Sequence, residues 1–125
     1  MIVGLGVDTV EIQRLRTSLE RHKESFTRRV YTLPEQAYCD AHVDPAPYYA
    51  ARFAAKEAAF KALGTGWAHG VQWLDVEVQR QADGVPVLVL RGEAEKRAAA
   101  IGATKAHLSL SHSDNAAIAV VILEA

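Results

Sequence analysis

A single cysteine, Cys39, occurs in 125 residues, so no disulfide can form within the chain and no C-x-x-C pair is available to a structural zinc. That thiol usage fits a reducing cytoplasm. Apolar stretches are short: none approaches the roughly 18 residues that a membrane-spanning helix needs, and no charged segment followed by a long apolar run opens the chain. The chain is therefore expected to be cytoplasmic, neither crossing a membrane nor secreted by a signal peptide. Charge of either sign is in little excess, since 14 Lys and Arg meet 15 Asp and Glu for a formal net charge of −1. Without domain-wide basic charge, and with no aromatic residues interleaved among the arginines as stacking platforms, nucleic acid is not expected as a partner. Repeats and low-complexity tracts are absent too. One domain over residues 1–125 is expected, and a hydrophobic content of 50% suffices for its core.

What is present reads as alternating blocks of strand and helix. Ile2 to Val7 has the character of a short buried strand ending at Asp8, and Asp8-Thr9-Val10-Glu11 has the spacing of a capping box ahead of Ile12, Leu15 and Leu19 at helical intervals. Thr32-Leu33-Pro34-Glu35 signals a second helix start, with Thr32 as cap and Pro34 in the first turn. That helix runs to about Ala41, and the prolines of Asp44-Pro45-Ala46-Pro47 interrupt the helical pattern beyond it. A long helix is predicted from Tyr48 to Leu63. Beyond it Leu74, Val76 and Val78 alternate with Asp75, Glu77 and Gln79, and Asp83-Gly84 turns the chain into a returning strand over Val85 to Leu90. A helix over Glu93 to Ile101 and two strands, Ala106 to Ser111 and Ala116 to Leu123, complete an α+β order with a mainly antiparallel sheet around a long central helix.

The chemistry concentrates in Arg52 to Gly66. Glu57 and Lys61 are four residues apart and share one face of the long helix, while Gly64-Thr65-Gly66 ends that helix in a loop where backbone N–H groups could meet an anion. Taken alone, E-x-x-x-K is an ordinary surface ion pair worth about 0.3 to 0.5 kcal/mol, and Gly64 alone is a helix C-cap. Lys56 points about 100° away from Glu57 and is expected to be a surface cation, with phosphate binding left open. Two further segments carry polar residues at the edges of apolar runs: Val3 to Asp8, and His107 to His112.

Three segments together, Gly4-Leu5-Gly6-Val7-Asp8-Thr9-Val10-Glu11, Arg52 to Gly66, and the alternating strand ending in Ser111-His112, closely resemble the holo-acyl-carrier-protein synthase family of 4'-phosphopantetheinyl transferases over nearly the whole length. The resemblance implies a single-domain fold that transfers phosphopantetheine from coenzyme A to a serine of an apo-acyl-carrier protein, releasing 3',5'-ADP. It assigns Asp8 and Glu57 to Mg²⁺, and gives Glu57 the further task of organising or deprotonating the serine through a water. Lys61 would stabilise the leaving 3',5'-ADP. Arg52, Gly64, Thr65 and Gly66 match residues against the nucleotide and phosphates, and Ser111 and His112 match the ending whose histidine contacts the 3'-phosphate. Two departures stand out: Val10 occupies the place where larger transferases carry a third acid, and Ala116 the place of an aromatic in many relatives. The family forms homotrimers, which implies that Asp8 and Glu57 come from one subunit and Ser111 and His112 from its neighbour.

Residues 12 to 31 form a locally basic segment, holding Arg14, Arg16, Arg21, Lys23, Arg28 and Arg29 against Glu20 and Glu24. Carrier proteins of this family are acidic, so Arg14 and Arg21, seven apart on one helical face, with Phe26 and Arg29 beyond them, are expected to bind the carrier. Two other readings compete. A catalytically silent coenzyme A-binding module would have lost a metal acid, and both acids are present. A serine hydrolase using Ser109 or Ser111 with His112 fails because strand neighbours point to opposite faces and no nucleophile-elbow pattern surrounds either serine.

Overall fold

The computed structural model describes residues 1–65 and 70–125. Gly66, the last glycine of the predicted loop, lies outside the described residues. Along the chain run β1 (Ile2–Glu11), α1 (Ile12–Val30), α2 (Leu33–Asp40), α3 (Ala46–Leu63), a short 3-10 turn (Trp73–Asp75), β2 (Val76–Arg80), β3 (Pro86–Leu90), α4 (Gly92–Ala100), β4 (Lys105–His112) and β5 (Ala116–Glu124). The strands make an antiparallel sheet ordered β1-β5-β4 and a separate β2-β3 hairpin. The α+β expectation holds, with the antiparallel pairing divided between two sheets.

Helix α3 lies directly on the sheet, and the sequence permits this through small residues on both sides. A Cβ at Gly4 would stand 2.2 Å from Ala62 O and one at Gly6 would stand 1.9 Å from Ala58 O. Backbone meets backbone there, so the two glycines of β1 and the alanines of α3 set the separation of strand and helix. Ala54, Ala55, Ala58 and Ala59 are fully or almost fully buried, and Ala117, Ala119, Val121 and Leu123 of β5 complete this layer of the core. The other face of the sheet is uncovered. Leu5, Val7 and Ile118 are 64%, 49% and 39% exposed.

Several boundaries differ from the sequence expectation for physical reasons. Strand β1 runs on to Glu11, paired with Ala116, and Glu11 is the N-cap of α1 without a side-chain capping bond. Asp8 is therefore not a helix cap; the ladder with β5 claims its backbone. The predicted capping box at Thr32 and Glu35 does form. Helix α1 is broken at His22, whose φ of −144° and ψ of 42° are not helical. Leu74 lies in the 3-10 turn and is exposed, whereas Glu77, expected on the polar side of its strand, is buried beneath Arg91 and Gln79. Cys39 is fully buried, and burial pushes its thiol up to about 12. Lys56 is a correction of the same kind: it is fully buried, because α3 has protein around most of its circumference. Among the described residues no helix is long and apolar enough to cross a membrane.

Candidate active site

Residues alternate across a strand, so Gly4, Gly6, Asp8 and Val10 share the face of β1 that looks at α3. Two glycines bring the helix close, and the next residue in the series is an acid. Lys61, on the turn of α3 above it, donates to Asp8 Oδ1 at 2.9 Å and to Val7 O at 3.0 Å. Glu57, one turn earlier, is half-buried. Burial raises its carboxyl pKa above the ordinary value and the charge of Asp8 raises it further, opposed by Arg14 and Lys61. The structure thus brings Asp8, Glu57 and Lys61 together, and adds Arg14 of α1 to their electrostatics.

A carboxylate pair in which the charge of Asp8 disfavours ionisation of Glu57 is a suitable seat for a hard divalent cation. Mg²⁺ takes oxygen ligands, commonly one or two carboxylates with waters and phosphate oxygens. Val10 offers no third acid: it is 3% exposed and packed in the core. Among the described residues no group of three or more His, Cys, Asp and Glu could hold a metal. Asp8 and Glu57 are the two carboxylates here that fit a Mg²⁺ site.

Other predicted residues are placed apart from this trio. Five residues separate Arg52 from Glu57, about 140° around the helix, and Arg52 turns into the interior below α2. It is 1% exposed, its guanidinium lies 4.1 Å from the Tyr38 ring centre, and its Nε and Nη1 are buried without a hydrogen-bond partner among the described residues. Arg80 of β2 lies 4.9 Å from the same ring, and a cavity of about 250 Å³ opens between Tyr38, Arg52, Gln79 and Arg80. Two buried donors without acceptors beside a second cation suit an anionic group. Sequence reading missed Tyr38 and Arg80, since nothing local in the chain links α2 to β2.

Gly64 adopts a φ of +73° and closes α3, its N–H bonding Lys61 O at 3.0 Å while Thr65 N–H bonds Phe60 O at 3.2 Å. Those two amides are committed to the helix end. The expected anion-binding role of their N–H groups is corrected accordingly. Ser111 and His112 end β4, both exposed, and their side chains leave opposite faces. His112 is on the α3 side, opposite Ala117, and its ring meets Tyr48 edge to face at 5.5 Å. His42, also missed in the sequence, stacks on the other part of this group, 3.5 Å from the Tyr48 ring centre. The ladder sets His112 two strands across and two residues along from Asp8, about 12 Å in Cα distance.

Three of the four residues expected to bind the carrier, Arg14, Phe26 and Arg29, reach one cleft from both sides of the break in α1. Arg14, Ser18, Phe26, Arg29, Phe53 and Trp73 line a cleft of about 220 Å³. Phe26 packs on Tyr31 at 5.8 Å and on Phe53 at 6.1 Å, so it forms a wall rather than a protruding contact. Arg21 is exposed and outside the cleft.

Residues 4–121 match the model of the 4'-phosphopantetheinyl transferase superfamily. A holo-[acyl-carrier-protein] synthase of Koribacter versatilis is 47% identical over 124 residues, covering 99% of both chains. The crystal structure of the holo-[acyl-carrier-protein] synthase from Neisseria meningitidis superposes with a TM-score of 0.90 at 30% identity, covering 100% of each chain. That of a Bacillus anthracis holo-(acyl-carrier-protein) synthase in complex with coenzyme A (3',5'-ADP) gives 0.82 at 36% identity over 99% of this chain and 97% of that one. With its glycine-lined strand, its acid pair and its helix lysine in one place, the chain belongs to the 4'-phosphopantetheinyl transferase superfamily, among the holo-[acyl-carrier-protein] synthases.

Proposed function

We propose that the chain transfers 4'-phosphopantetheine from coenzyme A to a serine of an apo-acyl-carrier protein, and that Asp8, Glu57 and Lys61 carry the reaction. The observation behind the assignment is their convergence: a half-buried carboxyl, its pKa raised by burial and by Asp8, beside that second acid, which a lysine grips at 2.9 Å. The serine oxygen forms a bond to the pantetheine-side phosphorus of the pyrophosphate, the bond from that phosphorus to the bridging oxygen breaks, and 3',5'-ADP leaves with the electron pair. Glu57 receives the serine proton, and its raised pKa makes it the stronger base for that task. Lys61 is more than half exposed and so can turn its ammonium toward the phosphate that gains charge. Asp8 and Glu57 would hold Mg²⁺, which would supply positive charge to offset that of the pyrophosphate. Arg52 and Arg80 answer an anionic part of the coenzyme, an assignment supported by the two unpartnered nitrogens of Arg52.

The carrier docks, in this reading, over the cleft between Arg14, Phe26 and Arg29, with Arg21 on its approach. Cations around an aromatic slot beside Glu57 suit an acidic helical protein that must present a serine there. The uncovered apolar face of the sheet supports self-association into a homotrimer, in which Ser111 and His112 of one subunit complete the site of the next. A cytoplasmic setting accords with the lone, buried thiol. The silent-module alternative is weakened by both acids being present and together. The test is direct: incubation with apo-carrier protein, coenzyme A and Mg²⁺ should add the mass of one phosphopantetheine to the carrier, and an unchanged carrier mass would overturn the function.

A further inference from the structure

Lys56 precedes the proposed catalytic acid in sequence, yet it takes no part in the reaction derived above. All three of its N–H donors are used inside the protein. Its Nζ lies 2.9 Å from Glu35 Oε1, donates to Trp73 O at 3.2 Å, and donates to Val76 O. Both side chains of the ion pair are fully buried. Glu35 is equally engaged, accepting from Thr32 N–H at 2.8 Å and from Val78 N–H at 2.9 Å. The pair therefore joins α2, α3 and the segment from Trp73 into β2 at one point.

A buried ion pair is weak evidence for stability, because desolvation of both charges can exceed their attraction, and apolar replacement is often tolerated. What this pair does have is a consistent geometric target. Trp73 is held to α3 twice, through its carbonyl by Lys56 and through its ring by Phe53 and Phe60, at 4.8 and 5.1 Å. Residues 53, 56 and 60 follow one stripe of the helix. Trp73 in turn lines the cleft with Arg14, Phe26 and Arg29.

We propose that Lys56 is a positioning residue for carrier docking: by holding the main chain of Trp73 against α3, it fixes the indole that helps shape the carrier cleft. The inference rests on the reading of that cleft as the carrier's docking surface. It also separates two properties that a purely structural ion pair would move together. In Glu35→Gln the charge partner is lost, while the Nζ donors to Trp73 O and Val76 O remain in place. Stability should fall while carrier recognition survives. In the double variant Lys56→Met with Glu35→Gln neither charge of the pair remains, so stability should recover toward the parent, but the tie to Trp73 is gone.

The experiment measures thermal stability, the KM for carrier and the KM for coenzyme A in both variants, in a Trp67→Phe background that leaves Trp73 the one tryptophan of the two in the chain. The double variant should show a carrier KM raised about tenfold, a coenzyme A KM within about twofold, and shifted Trp73 emission, while Glu35→Gln keeps the background's carrier KM and emission. Carrier KM that follows stability through the series overturns the proposal, as does a rise confined to coenzyme A. Should the double variant not fold, a raised carrier KM in Glu35→Gln alone overturns it, and an unchanged one at reduced stability supports it. Phe26→Ala, which touches the cleft and not the ion pair, tells the two readings apart. If Phe26→Ala raises the carrier KM and the double variant does not, the positioning role fails alone; if neither does, the cleft reading fails and takes this inference with it.

Discussion

Glu57 and Lys56 are neighbours in sequence with opposite fates, and the difference defines the chemistry available to each. Burial and the charge of Asp8 both hold the Glu57 carboxyl above its usual pKa. A carboxyl raised on folding costs no stability below its unfolded pKa and destabilises progressively as pH climbs past it, because the folded state then disfavours the ionised form. Glu57→Gln should therefore raise Tm at neutral pH in Mg²⁺-free buffer and have little effect in acid, while turnover falls at least about 100-fold. Melting curves at the two pH values check this; a Tm at neutral pH that drops on substitution would remove the repulsion from the account. Asp8→Ala should cost turnover on the same scale. Lys61→Ala should lower kcat with carrier KM nearly unchanged, since it acts on the leaving group. The sequence motif carried Glu57 and Lys61 correctly onto one face. It could not distinguish buried Lys56 from a surface cation, because that depends on Glu35, 21 residues away in the chain and beside Lys56 only after folding.

The contact of β1 with α3 is decided by two glycines, and its sensitivity comes from the backbone that lies opposite. At Gly6 a Cβ would collide with the carbonyl of Ala58, a backbone atom that moves only with the whole helix. Gly6→Ala should cost about 1 to 3 kcal/mol, the range for overpacking, and should reduce turnover by displacing Asp8 from Lys61. Gly84, at a φ of +86° with nothing near its missing Cβ, should on substitution by alanine keep full turnover and lose about 1 to 2 kcal/mol, the cost of the left-handed backbone for a residue with a Cβ. Urea denaturation and turnover of both variants give the comparison, and equal turnover losses would mean that the close approach does not set the site. Helix α1 shows the same dependence on context. Its spacing puts Arg14 and Arg21 on one face of a continuing helix, whereas the helix breaks at His22 and the cleft takes Arg14 and Arg29 and not Arg21. Arg29→Glu should raise the carrier KM about tenfold and flatten its salt dependence. Arg14→Glu should do the same and also shift the acid limb of the kcat profile to higher pH, because Arg14 lowers the pKa of Glu57. An unchanged acid limb would confine Arg14 to docking.

For the molecule as a whole, the sheet has one face filled by α3 and one face open, with Leu5, Val7 and Ile118 exposed upon it. A lone subunit leaves that apolar surface in water, at a cost of about 25 cal/mol per Å². The homotrimer proposed above predicts that Val7→Asp with Ile118→Asp yields monomers in sedimentation with much reduced turnover, and that mixing Glu57→Ala with His112→Ala subunits restores part of the activity. Fully active monomers, or no rescue in demonstrably mixed trimers, would mean that each chain builds its site alone.

Local rules determined much of this protein directly. The periodicities gave the order of strands and helices, Thr32 and Glu35 formed the capping box their spacing requires, and Gly64 closed α3 in the left-handed conformation that glycine adopts at least cost. The motif spacing placed Glu57 and Lys61 on one face, since that follows from helix geometry alone. Folding decided the rest, through contacts between residues far apart in the chain. Asp8 gave up the cap its neighbours suggest because β5 paired with the backbone as far as Glu11. Lys56 went inside because Glu35 and two carbonyls were there to satisfy it, and Arg52 turned away from Glu57 toward Tyr38 and Arg80. The physical reason is common to all three: what decides each position, strand β5 for Asp8, Glu35 and two carbonyls for Lys56, the Tyr38 ring for Arg52, becomes a neighbour only once the sheet and helices have packed.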